Sequence, residues 1–200
     1  TYQLSENGKL TVSDSLVMKG GISSSFRQVL RTKDSGNKMF QRIANTLFNG
    51  GVLEKYDHSD IEDITKPFTI NYSADVTNLV SQTENKIIIS PPEQIVGPSI
   101  TSMDKRLLPL WTGVPSYYEI KAEYKIPAGM KVDSAPTAFE IVTNCMAISR
   151  KITISQDTVE IISAFTNNCV EIPVEQYPEF RKNIMEVIKK QNEYMVFIKK

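Results

Sequence analysis

Apolar and charged residues alternate strictly from Tyr118 to Ile126: Tyr118, Ile120, Ala122, Tyr124 and Ile126 fall on one side of an extended chain, and Glu119, Lys121, Glu123 and Lys125 on the other. A period of two marks a strand with one buried and one wetted face. Two longer β runs follow, at 139–154 and 158–165, joined near Gln156-Asp157. A two-residue connection there sets Ile154 opposite Val159, Ile152 opposite Ile161 and Ile148 opposite Phe165, so the apolar faces agree across a hairpin. Near the start, Asn7-Gly8 separates residues 2–5 from a run carrying Leu10, Val12, Leu16 and Met18. Asn-Gly between such runs predicts a hairpin, because both residues tolerate positive φ. Shorter strand-like runs stand at 52–56, 68–74, 86–90 and 194–198.

The period lengthens to that of a helix in two places. Met39, Phe40, Ile43, Ala44, Leu47 and Phe48 form one stripe, which stops at Asn49-Gly50-Gly51. Tyr177, Phe180, Ile184, Val187 and Ile188 form the second, within a helix predicted over 175–191. The matched isoleucines of the hairpin need a cover, and this second stripe is predicted to dock on Ile148, Ile152, Ile161 and Phe165. The stretch 22–30, after Gly20-Gly21, is ambiguous between the two periods.

Prolines 91, 92, 98, 109 and 115 fall in one segment, and proline both fixes φ and removes a sheet donor. That segment reads as a connection between domains. The expected architecture is α+β and β-rich: two antiparallel sheet units, each with one amphipathic helix, at 1–97 and 98–200.

Lys plus Arg and Asp plus Glu are equal at 23 each, so no net field draws in a polyanion, and nucleic acid is not an expected partner. No run reaches the roughly 20 apolar residues of a membrane-spanning helix. The chain begins with Thr1 rather than Met, which suggests excision from a longer protein.

Candidate chemistry is sparse. The single histidine, His58, lies among Asp57, Ser59 and Asp60 and reads as an exposed turn residue rather than a neutral base. Cys145 and Cys169 fall on opposite strand faces in the hairpin register, so free thiols are expected unless a bulge intervenes between 166 and 168. Asp57, Asp60, Glu62 and Asp63 lack the ligand spacing and glycine turn of a calcium loop and read as a solvated loop. Gly20-Gly21 and Gly50-Gly51 do not fit a phosphate-binding spacing. No catalytic residue, cofactor or metal site is therefore expected. The grouped aromatics Trp111, Tyr117 and Tyr118 are the candidates for contact with a ligand or with another domain, and such groups also serve simply to fill a domain junction.

Arg106-Leu107-Leu108-Pro109-Leu110, Tyr117-Tyr118, Ile126-Pro127-Ala128-Gly129, Tyr177-Pro178-Glu179-Phe180-Arg181 and Val196-Phe197-Ile198-Lys199 together resemble a known region. It is similar to the part that follows the catalytic core in bacterial transglutaminase-like proteins, common in Bacteroidetes, whose flanking modules are domains of unknown function. The first hundred residues, with Gly8, Gly20-Gly21, Arg27 and Pro67-Phe68-Thr69-Ile70, fit the preceding part of that region more weakly. The resemblance implies an exported parent, periplasmic or at the cell surface, with a papain-like core using Cys, His and Asp. The core's catalytic residues map onto no position here, since their order is Cys, His, Asp whereas His58 precedes both cysteines. The implied role is a non-catalytic accessory region that supports or orients the core, its partner in cis. The alternative is an independent peptide- or glycan-binding β module, which only the aromatics at 111, 117 and 118 support.

Overall fold

A computed structural model describes residues 1–4, 9–18, 21–48, 50–91 and 95–200, with the backbone alone at 21, 22 and 33. It is a strand-rich mixture of helix and strand with several sheets, and it divides into two units, Thr1–Thr83 and Glu84–Lys200.

The first unit contains β1 (Tyr2–Leu4), β2 (Leu10–Met18), α1 (Gly21–Leu30), α2 (Lys33–Leu47), β3 (Val52–His58), β4 (Phe68–Val76) and β5 (Val80–Gln82). Strands β1, β2, β4 and β3 lie side by side, all antiparallel. Alternation explains the central strand: Phe68, Ile70, Tyr72, Ala74 and Val76 are all buried on one face of β4. Phe40 of α2 and Phe48, its C-cap residue, meet that face, with ring centroids 5.9 and 6.5 Å from Tyr72. Thr32 caps α2 by accepting a hydrogen bond from the Ser35 amide. The predicted turn at Asn7-Gly8 lies outside the described residues, as do Gly20 and Asn49; Leu4 pairs with Leu10 on either side of the first.

The ambiguous stretch 22–30 is helical, so the described residues of this unit hold two helices rather than the expected one. Its anchor is a buried cation. Arg27 lies over the Phe68 ring, 4.5 Å from its centroid, and donates to the carbonyls of Asp60 and Lys66. A helix held by an arginine gives little apolar periodicity to read.

The second unit contains β6 (Lys86–Ile89), β7 (Leu110–Trp111), β8 (Ser116–Lys125), β9 (Met130–Ser134), β10 (Phe139–Val142), β11 (Met146–Ile154), β12 (Thr158–Asn167), β13 (Glu171–Ile172), α3 (Tyr177–Gln191) and β14 (Met195–Lys199). Strands β8, β12, β11 and β10 form one antiparallel meander, β14 pairs with both β6 and β9, and β7 pairs with β13. The β11–β12 register is the one read from the apolar pattern, with Ile152 opposite Ile161 and Ile148 opposite Phe165. The run 139–154 is two strands, however. The Thr143 side chain accepts the amides of Cys145 and Met146 and folds the chain into a turn between β10 and β11.

The boundary of 97/98 is also corrected, because the second unit begins at Glu84. Strand β6 pairs with β14, and Ile95 and Val96 are buried in the same cluster as the α3 stripe. The proline-rich segment is thus built into the second unit: Tyr177 donates to the Met103 carbonyl, and Arg181 donates to the Thr101 carbonyl and pairs with Asp104. Pro92 lies outside the described residues. Tyr177, Phe180, Ile184 and Val187 of α3 share their cluster with Met146, Ile148, Leu110 and Ile172, with Phe165 packed against it. Ile148 and Phe165 belong to the cover that was predicted; Ile152 and Ile161 lie farther along the hairpin, outside this cluster.

Candidate functional site

His58 is the last residue of β3, not a turn residue. It is half-buried between Tyr56 and Phe68, 6.3 and 5.9 Å away by ring centroids, and its Nδ1 lies 2.8 Å from the Ser59 carbonyl oxygen. The carboxylates beyond it hold local turns. Asp60 accepts the Glu62 amide, and Asp63 accepts both the amide and hydroxyl of Thr65 while pairing with Lys66 at 3.1 Å. These bonds, the Thr65 hydroxyl first, hold the Asp63 carboxyl down to about 2. Among the described residues no group of three or more His, Cys, Asp or Glu is arranged to hold a metal.

The cysteines overturn the expectation of free thiols. Cys145 and Cys169 form a disulfide with Cα atoms 5.2 Å apart. Face alternation argues against it only while both chains stay extended, and the β11–β12 ladder ends at Met146 and Asn167. Beyond that pair the Asn168 amide donates to the Cys145 carbonyl and the Asn167 side chain accepts the Cys169 amide, which turns Cys169 back toward its partner.

The three aromatics do not form one platform. Tyr117 and Tyr118 are neighbours on β8 and point to opposite faces; Tyr117 is exposed and donates to Glu119, on its own face. Tyr118 stacks on Phe165 at 4.9 Å between centroids and donates to the Ile95 carbonyl. Burial pushes its phenol up to about 12. Trp111, on β7, stands on the rim of a cleft of about 430 Å³ lined by Ile95, Val96, Ile100, Leu110, Met146 and Phe165, among others. Trp111 thus lines the groove, and Tyr118 meets two of its lining residues, Phe165 and Ile95, while Tyr117 points to the other face of β8.

Two side chains that sequence reasoning missed fix the walls. Gln191, buried at the end of α3, accepts the amides of Ile95 and Val96 and donates to the Val96 carbonyl at 2.6 Å. Asn167 donates to the carbonyls of Thr112 and Val114. These bonds leave no local signal, since each joins a side chain to backbone more than fifty positions away.

Next to the groove the surface is apolar. Leu107, Leu108, Trp111 and Val114 are 96%, 74%, 72% and 72% exposed, within eight positions of one another, whereas Leu110 among them is buried. Isolated exposed apolar residues are ordinary, whereas here four large ones stand exposed in one short segment.

The comparison with curated proteins finds no match. Among solved structures, the chain is similar to one from Parabacteroides distasonis described as a "putative protease", with a TM-score of 0.48 and 18% identity over 58% of this chain. The similarity spans 24% of that protein's own length. Residues 85–197, which fall within the second unit, match DUF3858, a domain of unknown function with a solved structure, and since they make up more than half of the chain, the chain belongs to that family.

Proposed function

We propose that this chain is a non-catalytic accessory region of a larger exported protein with a transglutaminase-like core, and that it supports or orients that core in cis. The observation that carries this reading is the segment Leu107–Leu108–Trp111–Val114: apolar side chains stay in water while the core of their own unit is filled by Leu110, Ile172 and the α3 stripe. A surface left apolar beside a completed core suits a permanent neighbour.

Two further features support it. A disulfide persists in oxidising compartments, which favours a periplasmic or cell-surface location. The same bond leaves neither cysteine as a thiolate, the form a cysteine nucleophile needs. Peptide or glycan stacking has less support, because Tyr117 and Tyr118 face opposite ways.

The test is deletion of this region from the parent protein. A core that then loses thermal stability or activity, while the isolated chain hydrolyses no peptide or ester, is the expected outcome. A core that folds and turns over unchanged would refute the accessory role.

A further inference from the structure

Beyond the buried Leu110, the exposed segment carrying Trp111 and Val114 is hydrogen-bonded to residues 167–172. The Thr112 amide donates to the Val170 carbonyl and its hydroxyl to the Cys169 carbonyl, each at 2.8 Å. Trp111 and Leu110 pair with Glu171 and Ile172 in the two-residue ladder β7–β13. Asn167 closes the arrangement, accepting the Cys169 amide while donating to the carbonyls on both sides of Gly113, which has a φ of 91°. Residue 169 is in turn fixed by its bond to Cys145, whose Sγ lies 3.7 Å from the Glu171 carbonyl oxygen. The cluster that holds the α3 stripe and Ile148 also includes Cys145, Leu110 and Ile172, with Cys169 packed against it; its members on α3, on β11 and at 95–96 are held by apolar packing rather than by the sulfur–sulfur bond.

We propose that the Cys145–Cys169 disulfide is the positioning element of the Trp111 segment, and that dithiol reductants release this segment while the rest of the unit stays folded. This rests on the docking reading only for its consequence, that the apolar surface would be competent when oxidised and slack when reduced. The exchange balances without further cofactors. A thiolate of the dithiol attacks Sγ of Cys169, the more exposed partner, and Cys145 leaves as a thiolate. The second thiol of the reductant then displaces Cys169, so that the disulfide is reduced to two thiols and the dithiol is oxidised to a disulfide.

The experiment follows the full chain in the absence and presence of dithiothreitol, with the Cys145→Ser/Cys169→Ser double variant in parallel. Trp111 is the only tryptophan, so its fluorescence anisotropy reports on the segment alone, and amide exchange at Thr112 reports on its anchor. The expected result is lower anisotropy and at least about tenfold faster exchange at Thr112, with exchange in β11, β12 and α3 unchanged. Unchanged anisotropy and exchange would overturn the proposal. Loss of protection throughout the unit would overturn it too, by making the bond a general stabiliser. Release of Trp111 without any binding of the parent core in either redox state would leave the positioning role standing and remove the docking reading.

Discussion

Gln191 and Val96 are joined in both directions: the side-chain oxygen of Gln191 accepts the Val96 amide at 3.3 Å, and its nitrogen donates to the Val96 carbonyl at 2.6 Å. The pair mimics one rung of a β ladder and fixes the lip of the groove against the end of α3. Gln191→Ala leaves buried backbone groups of Ile95 and Val96 without partners, which costs about 1–3 kcal/mol for each orphaned group. Urea denaturation should show that loss, and exchange at the Val96 amide should accelerate more than exchange in β12.

The α3 stripe separates packing from surface chemistry. Phe180 is buried in the cluster with Ile148 and Tyr177, and Phe180→Ala is expected to destabilise the second unit by roughly 3–5 kcal/mol. Glu186→Ala, on the wetted side, should change stability by less than about 0.5 kcal/mol. Thermal unfolding of both variants checks the contrast.

High pH should loosen the groove. Burial raises the Tyr118 phenol from 10.0 to about 12, so folding favours the neutral form. Its contribution is complete below the ordinary tyrosine range and is lost as pH rises through about 12, since the unfolded chain ionises first. Stability followed across that window should fall more steeply in the native chain than in Tyr118→Phe. Parallel curves would show that the phenol is not held neutral by the fold.

In the first unit, Arg27→Lys keeps the charge and removes the fork that spans the Asp60 and Lys66 carbonyls. A loss of about 1.5–3 kcal/mol is expected, with amide exchange rising first at residues 59–67.

What could be read from the sequence follows the range of the force involved. The hairpin register was legible because Ile152 and Ile161, and Ile148 and Phe165, announce their faces through a simple alternation. The α3 stripe was legible for the same reason. Gln191, Asn167 and Arg27 were not, because a polar side chain that bonds distant backbone leaves no period behind it. The disulfide was misjudged because the alternation that separated Cys145 from Cys169 was carried past Asn167, where the ladder stops. The aromatic group was found as a neighbourhood, yet its adjacent tyrosines part to opposite faces as soon as they enter a strand.

The accessory role stands or falls on whether the exposed segment docks. The most direct measurement is calorimetric titration of this chain into the separately expressed core of its parent, with native, Trp111→Ala and Tyr117→Ala chains compared. The expected result is binding by the native chain, about thirty-fold weaker binding by Trp111→Ala, as for an anchor worth roughly 2 kcal/mol, and little change for Tyr117→Ala. No binding by the native chain, or equal binding by Trp111→Ala, would contradict it.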